Sequence, residues 1–346
     1  MKAMVLHEPG GPFVLEERPV PVPGPGEAVA KVLACGSGLT IEHTRAGRGR
    51  SANYPIVIGH EITAEITAVG AGVDGLAEGD PVTAYYYFTC GRCRWCRINR
   101  ETLCENLAGQ VGRQVDGGYA EYIKLPARSF VPIPEGIDYK QHPAEVGVIC
   151  DAVATPYKVI RHARIAPLET VAVVGAGGGV GIHMVMMARR AGARVIAVDI
   201  VPGKLGKCRD VGAHETVDAS QGNVTEALMD LTQGKGVEVV IDFACRSSSL
   251  ETGIRALARG GRFLSMAGTT SPSFLFDPRE MLRDEKQIMG SRYATRQEVI
   301  DSLELVARGE IWPLVTETYS LEEVERVHER LEKGVITGRA AIVMER

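Results

Sequence analysis

The stretch Thr170-Val-Ala-Val-Val-Gly-Ala-Gly-Gly-Gly-Val-Gly181 joins a β-branched run to a glycine-rich turn and then to an apolar helical pattern. Glycines of this kind let a strand turn sharply into a helix, whose first amide groups bind the pyrophosphate of a dinucleotide. The predicted contacts are Gly175, Gly177, Gly178, Gly179 and Val180. Asp199 ends the next predicted strand, about twenty residues further on, where a carboxylate accepts hydrogen bonds from the adenosine ribose. Because it would repel a 2′-phosphate, the sequence favours NAD over NADP.

Strand and helix patterns alternate from this stretch onward. Strands are predicted at 170–174, 194–199, 237–243 and 262–267, and helices at 179–191, 203–211 and 248–258. Such alternation is typical of an α/β fold with a doubly wound parallel sheet, so residues 151–292 are predicted to form a Rossmann domain.

The chain before residue 150 has a different pattern. Short β segments at 28–33, 61–69 and 81–86 are separated by glycine and proline turns, which predicts a mostly β domain over residues 1–150. Residues 293–346 carry an amphipathic helix at 297–307 and a last strand at 340–344. We expect this segment to return to the first domain.

The composition places the chain in an ordinary class. Its 346 residues are 45% hydrophobic and 24% charged, enough for a large core and two domains. The net charge of −4 argues against nucleic acid or an acidic membrane surface as the main partner. With neither a predicted membrane span nor a signal peptide, we expect a cytoplasmic protein.

Four cysteines lie close together in a polar, arginine-rich stretch, at Cys90, Cys93, Cys96 and Cys104. Four thiolates close a tetrahedral shell around zinc and leave no position for a substrate, so this spacing indicates a structural zinc site. Two disulfides or an iron–sulfur cluster are the alternatives. An intracellular thiol pool disfavours the first, and nothing else in the chain suggests the electron transfer of the second.

Together with these features, further motifs resemble the zinc-containing medium-chain dehydrogenase/reductase family, which includes alcohol, sorbitol and threonine dehydrogenases. They are G-H-E at 59–61, V-G-x-G at 69–72, G-D-x-V at 79–82, G-G-Y-A-E-Y at 117–122 and G-R at 338–339. The resemblance covers nearly the whole chain. It implies a GroES-like catalytic domain, a Rossmann domain, a cleft for NAD and substrate, and assembly into homodimers or homotetramers. It also implies cofactor contacts by Lys204 and, near the pyrophosphate, by Arg339.

The catalytic zinc site of that family is altered in this sequence. Where relatives read C-G-V-C-x-[ST]-D-x-H, this chain has Gly38 in place of the second, metal-binding cysteine. His60, Glu61 and Asp151 match the remaining ligand positions. Zinc could still bind through these three residues with water, a neighbouring thiol such as Cys35 or Cys150 could compensate, or the site could lack metal. The lost thiolate favours weak or absent catalytic zinc.

Two neighbouring residues match the family's proton relay. Thr40 corresponds to the hydroxyl that touches the reacting oxygen, and His43 to the histidine that passes the proton to solvent. An imidazole with a pKa near 6.5 suits that role. The aromatic run 85–88 aligns with the wall of the substrate cleft and suggests an apolar or ring substrate.

Three functions follow from the residues and the resemblance. The first is an NAD-dependent alcohol dehydrogenase or carbonyl reductase acting on a secondary or ring alcohol or carbonyl compound. The second is a 1,4-reductase of a conjugated C=C bond in an enone or enoyl thioester, for which catalytic zinc is dispensable. The third is a hydratase-like or non-catalytic derivative that binds NAD.

Overall fold

A computed structural model describes residues 1–48, 52–266 and 273–345. The chain divides into two compact units, one formed by Met1–Ala154 together with Ala294–Arg346 and the other by Thr155–Tyr293. Among the described residues, no helix is long and apolar enough to cross a membrane.

The elements up to the first crossing between the units are mostly short strands. They are β1 Lys2–Leu6, β2 Phe13–Glu17, β3 Glu27–Ser37, α1 Leu39–Arg45, β4 Ile56–Val57, β5 Glu61–Val69, β6 Pro81–Ala84, β7 Tyr87–Phe88, α2 Arg94–Arg97, β8 Gly109–Gln110, β9 Tyr122–Pro126, β10 Phe130–Pro132 and α3 Pro143–Val148. The next helix, α4 Ala154–His162, begins at the crossing and belongs to the second unit from Thr155 onward. Short 3₁₀ turns lie at Glu101–Leu103 and Ala127–Ser129, and a π-helical turn at Ile149–Val153 joins α3 to α4.

The second unit alternates strands and helices, and the chain then returns to the first unit. The alternating elements are β11 Thr170–Val174, α5 Gly179–Arg190, β12 Arg194–Asp199, α6 Pro202–Asp210, β13 Glu215–Asp218, α7 Val224–Leu231, β14 Val237–Asp242, α8 Ser247–Arg255, β15 Leu257–Ser265, α9 Pro278–Asp284 and β16 Gln287–Gly290. The returning elements are α10 Arg296–Ala307, β17 Val315–Tyr319, a 3₁₀ turn at Leu321–Glu323, α11 Val324–Glu332 and β18 Arg339–Val343.

The first unit is built around β3, whose long run of small and β-branched residues is almost wholly buried. Its sheet has the order β10-β6-β5-β3-β18-β17, and β9 also pairs with β3. The last strand, β18, is antiparallel to β3, with Ala340 opposite Ser37 and Val343 opposite Ala34. The C-terminal segment therefore adds strands to the sheet of the first unit, and it brings Arg339 next to the end of β3.

The second unit is a parallel sheet with the order β13-β12-β11-β14-β15-β16. This is the strand order of a dinucleotide-binding fold, in which the order reverses next to the first strand. One of its cores packs Ile196, Val240, Ile254 and Phe263 between the sheet and its helices. The predicted α/β class with a GroES-like and a Rossmann domain is confirmed.

Most predicted elements in the described residues are present, with small shifts at their ends. The helix predicted through 248–258 is wrong at its C-terminal end, because α8 stops at Arg255 and Leu257 already begins β15. Val237 pairs with Leu257 at the start of that strand, so sheet pairing overrides the helical pattern there. The predicted strand end at residue 267 lies outside the described residues.

Candidate functional site

The cysteine loop brings four sulfur atoms together around a short helix. The Sγ atoms of Cys90, Cys93, Cys96 and Cys104 all lie within 4.8 Å of one another. Cys96 Sγ is 3.9 Å from Cys90 Sγ and 3.5 Å from Cys93 Sγ. Zinc–sulfur bonds of about 2.3 Å give tetrahedral edges of about 3.8 Å, so this donor set fits zinc.

Backbone amides around this loop favour thiolates. Cys90 N–H donates to Cys104 Sγ at 3.3 Å, and Cys93 N–H donates to Cys90 Sγ at 3.3 Å. Amide donors from Arg92 and then Cys93 lower the pKa of Cys90 to about 6. Burial raises the pKa of Cys96 to about 12, which a bound cation would reverse because metal coordination deprotonates a thiol. No substrate position remains in a closed four-sulfur shell, so the loop fits a structural zinc site.

The glycine-rich turn lies at the C-terminal edge of the parallel sheet, between β11 and α5. Gly175 has a φ of +75°, a conformation that glycine adopts without strain, and α5 begins at Gly179. Asp199 ends β12 and accepts a hydrogen bond from Gly177 N–H at 2.8 Å and another from Val201 N–H at 3.0 Å. The predicted ribose carboxylate is thus fixed against the turn predicted to bind pyrophosphate.

Lys204 lies on α6 beside the same turn. A side chain at Gly177 would meet the Cβ atom of Lys204 at 2.4 Å, so the lysine packs directly against the turn. Burial lowers the pKa of Lys204, and the Asp199 carboxylate partly opposes that change. Gly178 is the residue before α5, and Val180 lies in its first turn. The structure therefore places together the seven cofactor residues predicted in this unit.

A second group of ligand atoms lies in the first unit. His60, Glu61 and Asp151 are buried, and one ligand atom from each lies within 4.8 Å of the others. His60 Nε2 is 3.2 Å from Asp151 Oδ2, and the His60 ring packs against Tyr86 with a centroid distance of 4.3 Å. Glu61 begins β5, whereas Asp151 projects from the π-helical turn, a type of irregularity that recurs at functional sites.

Arg339 belongs to this same group. It is 5% exposed, and its Nη2 donates to Glu61 Oε1 at 2.5 Å and lies 3.7 Å from Asp151 Oδ2. Burial by itself lowers the pKa of Arg339, but Glu61 and Asp151 raise it more, so the net change is upward and the guanidinium is charged. Burial raises the pKa of Glu61, and the nearby Arg339 opposes that rise. The predicted contact of Arg339 with pyrophosphate stays a prediction.

Gly38 gives Arg339 the space it occupies. A Cβ atom built on Gly38 would lie 1.9 Å from Arg339 Nη1 and 2.6 Å from its Cζ. A cysteine at this position and the guanidinium in its observed place exclude each other. The group therefore contains a cation where the family pattern has a thiolate donor, and in this arrangement its residues do not fit a catalytic zinc.

Neither nearby thiol replaces the missing ligand among the described residues. Cys35 Sγ donates to Gly36 O at 3.6 Å, and Cys150 Sγ donates to Gly147 O at 3.3 Å. Burial raises the pKa of Cys150 to about 12 and that of Cys35 well above its usual range. Both are buried thiols within the fold.

The predicted relay residues lie on α1, which begins directly after Gly38. Thr40 is exposed and His43 is half-buried, and residues three apart share one side of a helix. Burial, followed by the charge of Arg48, lowers the pKa of His43. The imidazole is therefore neutral near pH 7 and able to accept a proton.

The tyrosines at 85–87 and Phe88 are buried, each at most 5% exposed. Tyr85 donates a hydrogen bond to Ala294 O at 3.1 Å, and burial raises its pKa well above the usual range. Of the four, Tyr86 makes the ring contact with His60. The run is thus part of the packed interior beside the polar group.

Sequence reasoning missed a buried polar chain on the first unit. His328 Nδ1 is 2.7 Å from Glu42 Oε2, and Tyr119 Oη lies 3.2 Å from His328 Nε2 and 2.5 Å from Ser37 Oγ. Burial lowers the pKa of His328, and the hydrogen bond with Glu42 opposes this. The sequence carries no local pattern for it, since Glu42 and His328 are 286 residues apart.

The two units and their polar groups define the class of protein. A GroES-like unit with a four-cysteine loop is combined with a dinucleotide-binding sheet, which is the organisation of a medium-chain dehydrogenase. Residues 24–135 match the alcohol dehydrogenase GroES-like domain, and residues 179–308 match the zinc-binding dehydrogenase domain.

Whole-chain relatives agree with that class. The chain is 33% identical to an alcohol dehydrogenase of Geobacillus stearothermophilus, covering 100% of this chain and 99% of the relative. It is 30% identical to an NAD-dependent alcohol dehydrogenase of Sulfurisphaera tokodaii, covering 99% and 100%. A crystal structure of an NAD-dependent alcohol dehydrogenase superposes with a TM-score of 0.91 at 29% identity, over all of both chains. The protein belongs to the zinc-type medium-chain alcohol dehydrogenase family.

Proposed function

We propose that this chain is an NAD-dependent oxidoreductase that transfers a hydride between NAD and a secondary or ring alcohol or carbonyl compound. The observation that carries the proposal is the carboxylate of Asp199, held 2.8 Å from Gly177 N–H at the end of β12. It is positioned by the turn itself, as a ribose-binding acid should be. The NAD-dependent relative of Sulfurisphaera tokodaii supports the choice of cofactor.

The cofactor is assigned to the predicted domain 151–292. Backbone amides in the first turn of α5 would bind the pyrophosphate, because they lie at the positive end of a helix dipole, and the glycine turn lets the phosphates approach them. Asp199 would accept hydrogen bonds from the ribose, and Lys204 would add positive charge beside it. When bound, NAD accepts the hydride from the carbinol carbon, or returns it to a carbonyl carbon as NADH.

The first unit would handle the oxygen and its proton. In alcohol oxidation the C–H bond breaks as a hydride leaves, the C=O bond forms, and the hydroxyl proton must depart. Thr40 would take up that proton through its hydroxyl while passing its own to neutral His43, which releases it to solvent. His60, Glu61 and Asp151 would form the polar surroundings of the reacting oxygen, without a step through metal. The aromatic Tyr86 beside His60 favours an apolar or ring substrate.

Cofactor preference tests the first part. The wild-type protein should use NAD with a kcat/KM at least about 100-fold above that for NADP, because like charges brought together cost several kcal/mol. Asp199→Ser should reduce that ratio by about tenfold or more, as one repulsive charge is removed. Asp218→Ser is the matched control, since Asp218 ends the neighbouring strand β13 and should leave the preference unchanged. Equal use of both cofactors by the wild type would contradict the proposal.

A second function, 1,4-reduction of a conjugated C=C bond, is favoured by one observation: a guanidinium occupies the place of the metal-binding cysteine. Reduction of 2-cyclohexenone by NADH separates the two functions through the product. Carbonyl reduction gives the allylic alcohol, and 1,4-reduction gives cyclohexanone. Cofactor binding without consumption of NADH across an alcohol, ketone and enone panel would overturn both.

Assembly and location complete the proposal. We assign the protein to homodimers or homotetramers acting in the cytoplasm on a small-molecule substrate, as expected from the family resemblance. Light scattering of the purified protein measures the assembly, and a monomer at micromolar concentration would exclude it.

A further inference from the structure

The acidic residues of the altered site already have a cation. Arg339 Nη2 donates to Glu61 Oε1 at 2.5 Å and lies 3.7 Å from Asp151 Oδ2, which is itself 3.2 Å from His60 Nε2. These are the oxygen and nitrogen donors that a metal would need. The guanidinium thus shares its partners with any metal that might bind there, and it adds a like charge that repels a divalent ion.

The change at position 38 and the position of Arg339 are two parts of one arrangement. Gly38 removes a ligand, and the space freed by its missing side chain is filled by the guanidinium, whose Nη1 would lie 1.9 Å from a Cβ atom. An anionic metal ligand is therefore replaced by a cation that donates hydrogen bonds. Loss of the cysteine and its zinc without the arginine would leave the buried Glu61 carboxylate without a cation, which is costly.

The guanidinium also has an unused donor. Arg339 Nε is buried without a hydrogen-bond partner among the residues that the structure describes. A buried donor without a partner is destabilising, so a ligand oxygen that accepts a hydrogen bond from it is favoured. Nη1 borders Gly38, directly before the helix that carries Thr40, the residue predicted to touch the reacting oxygen.

We propose that Arg339 replaces the catalytic zinc of this family, both as the cation that balances Glu61 and Asp151 and as the hydrogen-bond donor to the substrate oxygen. A guanidinium donates to a carbonyl oxygen and stabilises the negative charge that develops there during hydride addition. The second role rests on the proposed function, whereas the first does not require NAD or substrate.

Metal counting tests the first role on the protein as it exists. After incubation with excess zinc and gel filtration, the wild type should hold about one zinc per chain, the complement of one four-cysteine site. Arg339→Met should bind a second zinc, because the donors His60, Glu61 and Asp151 are then free of the competing cation. Arg330→Met is the control, since Arg330 also pairs with a glutamate, Glu317, but in a partly exposed position outside this group, and this variant should stay at one zinc. Two zinc ions per wild-type chain, or no second zinc in a folded Arg339→Met variant, would overturn the proposal.

The second role is tested by separating chemistry from cofactor binding. In the reduction of cyclohexanone by NADH, Arg339→Met measured without zinc should lower kcat by about 100-fold, the usual effect of losing one donor to a developing oxyanion. Its Kd for NADH, measured by fluorescence, should change less than about threefold, because in this role Arg339 contacts the substrate oxygen and not the cofactor. Arg339→Lys keeps the charge and should recover part of kcat. A parallel loss of NADH affinity with kcat retained would instead make Arg339 a pyrophosphate contact and overturn this role.

These outcomes are separable from failure of the proposed function. If the wild type turns over none of the alcohols or ketones but holds one zinc, and Arg339→Met gains another, the metal replacement stands and the assigned reaction fails. Circular dichroism of each variant shows whether the protein is folded, so that a low zinc count is not caused by unfolding. The number of zinc ions per wild-type chain tests the first role without any substitution.

Discussion

The cysteine loop and the His60–Glu61–Asp151 group both correspond to zinc sites of the family, but they differ in whether a cation of the protein already lies beside them. In the loop, four sulfur atoms lie within 4.8 Å, and amide N–H groups point at Cys90 and Cys104. In the other group, two carboxylates and an imidazole lie within the same distance, and a guanidinium donates to one of them. The loop gathers negative charge that needs a cation, whereas the second group has its own.

This difference shows that a donor count alone does not identify a metal site. Three donors at metal-binding distances would suffice for a catalytic zinc, which keeps an open position for water or substrate. Here the positive charge of the neighbouring Arg339 opposes zinc binding in spite of that geometry. A buried ion pair with Arg339 already compensates Glu61, so binding zinc would first have to displace the arginine.

The largest effect is expected from a substitution in the cysteine loop. Cys93→Ser removes one thiolate from a closed shell, so the zinc count should fall from about one per chain towards zero. The melting temperature should fall by about 10 °C, as expected for a loss of several kcal/mol in a chain of this size. Inductively coupled plasma mass spectrometry and differential scanning fluorimetry measure the two effects.

Cys208→Ser is the control for that experiment. Cys208 is a buried thiol of the second unit, and its substitution should cost stability while leaving zinc unchanged. If Cys93→Ser keeps its zinc and its melting temperature, the loop is not a zinc site.

A smaller effect tests the packing between Gly38 and Arg339. Gly38→Ala places a Cβ atom 1.9 Å from Nη1 and forces the guanidinium to move away from Glu61. Unfolding in urea should show a loss of about 2–4 kcal/mol, the range for overpacking combined with disruption of a buried ion pair. In the Arg339→Met background the same substitution should cost less, because the colliding atoms are gone.

Gly206→Ala gives the reference for that cycle. Gly206 lies within α6 and a Cβ atom there meets nothing within 4 Å, so alanine should be neutral or slightly stabilising. Equal costs of Gly38→Ala in both backgrounds would show that Arg339 is not what fills the space.

The sequence predicts a region well when its interacting residues are close together along the chain, and poorly when they are far apart. The parallel sheet is predicted because its strand and helix patterns are local, and the proximity of the four cysteines because all lie within fifteen residues. The loss of a ligand at Gly38 is visible for the same reason. The position of the Arg339 side chain cannot be predicted from the sequence, because Arg339 pairs with Glu61 across 278 residues and needs the space left by Gly38 in a third segment. The π-helical turn that carries Asp151 likewise has no local pattern.

The smallest expected effect concerns acid stability and separates the altered site from the other buried acid–base pair of its unit. His328 is fully buried 2.7 Å from Glu42, and burial lowers its pKa below the ordinary value, with Glu42 opposing the change. The unfolded chain therefore binds a proton more readily than the folded protein as the pH falls through about 6.5, and the folded state loses stability there. At higher pH both states are neutral at this residue and its contribution is constant.

We expect the free energy of unfolding to decrease below about pH 6.5 with a slope from this residue of at most about 1.4 kcal/mol per pH unit, the limit for one proton. His328→Gln keeps polar atoms in the site but does not titrate, so its stability should be lower at pH 7.5 and change less between pH 7.5 and 5.5. His7→Gln is the control, because it replaces an exposed histidine of the same unit by the same residue. Urea unfolding at four pH values measures all three proteins. An unchanged slope in His328→Gln would assign the acid sensitivity to other groups, and the carboxylates beside Arg339 would be the next to test.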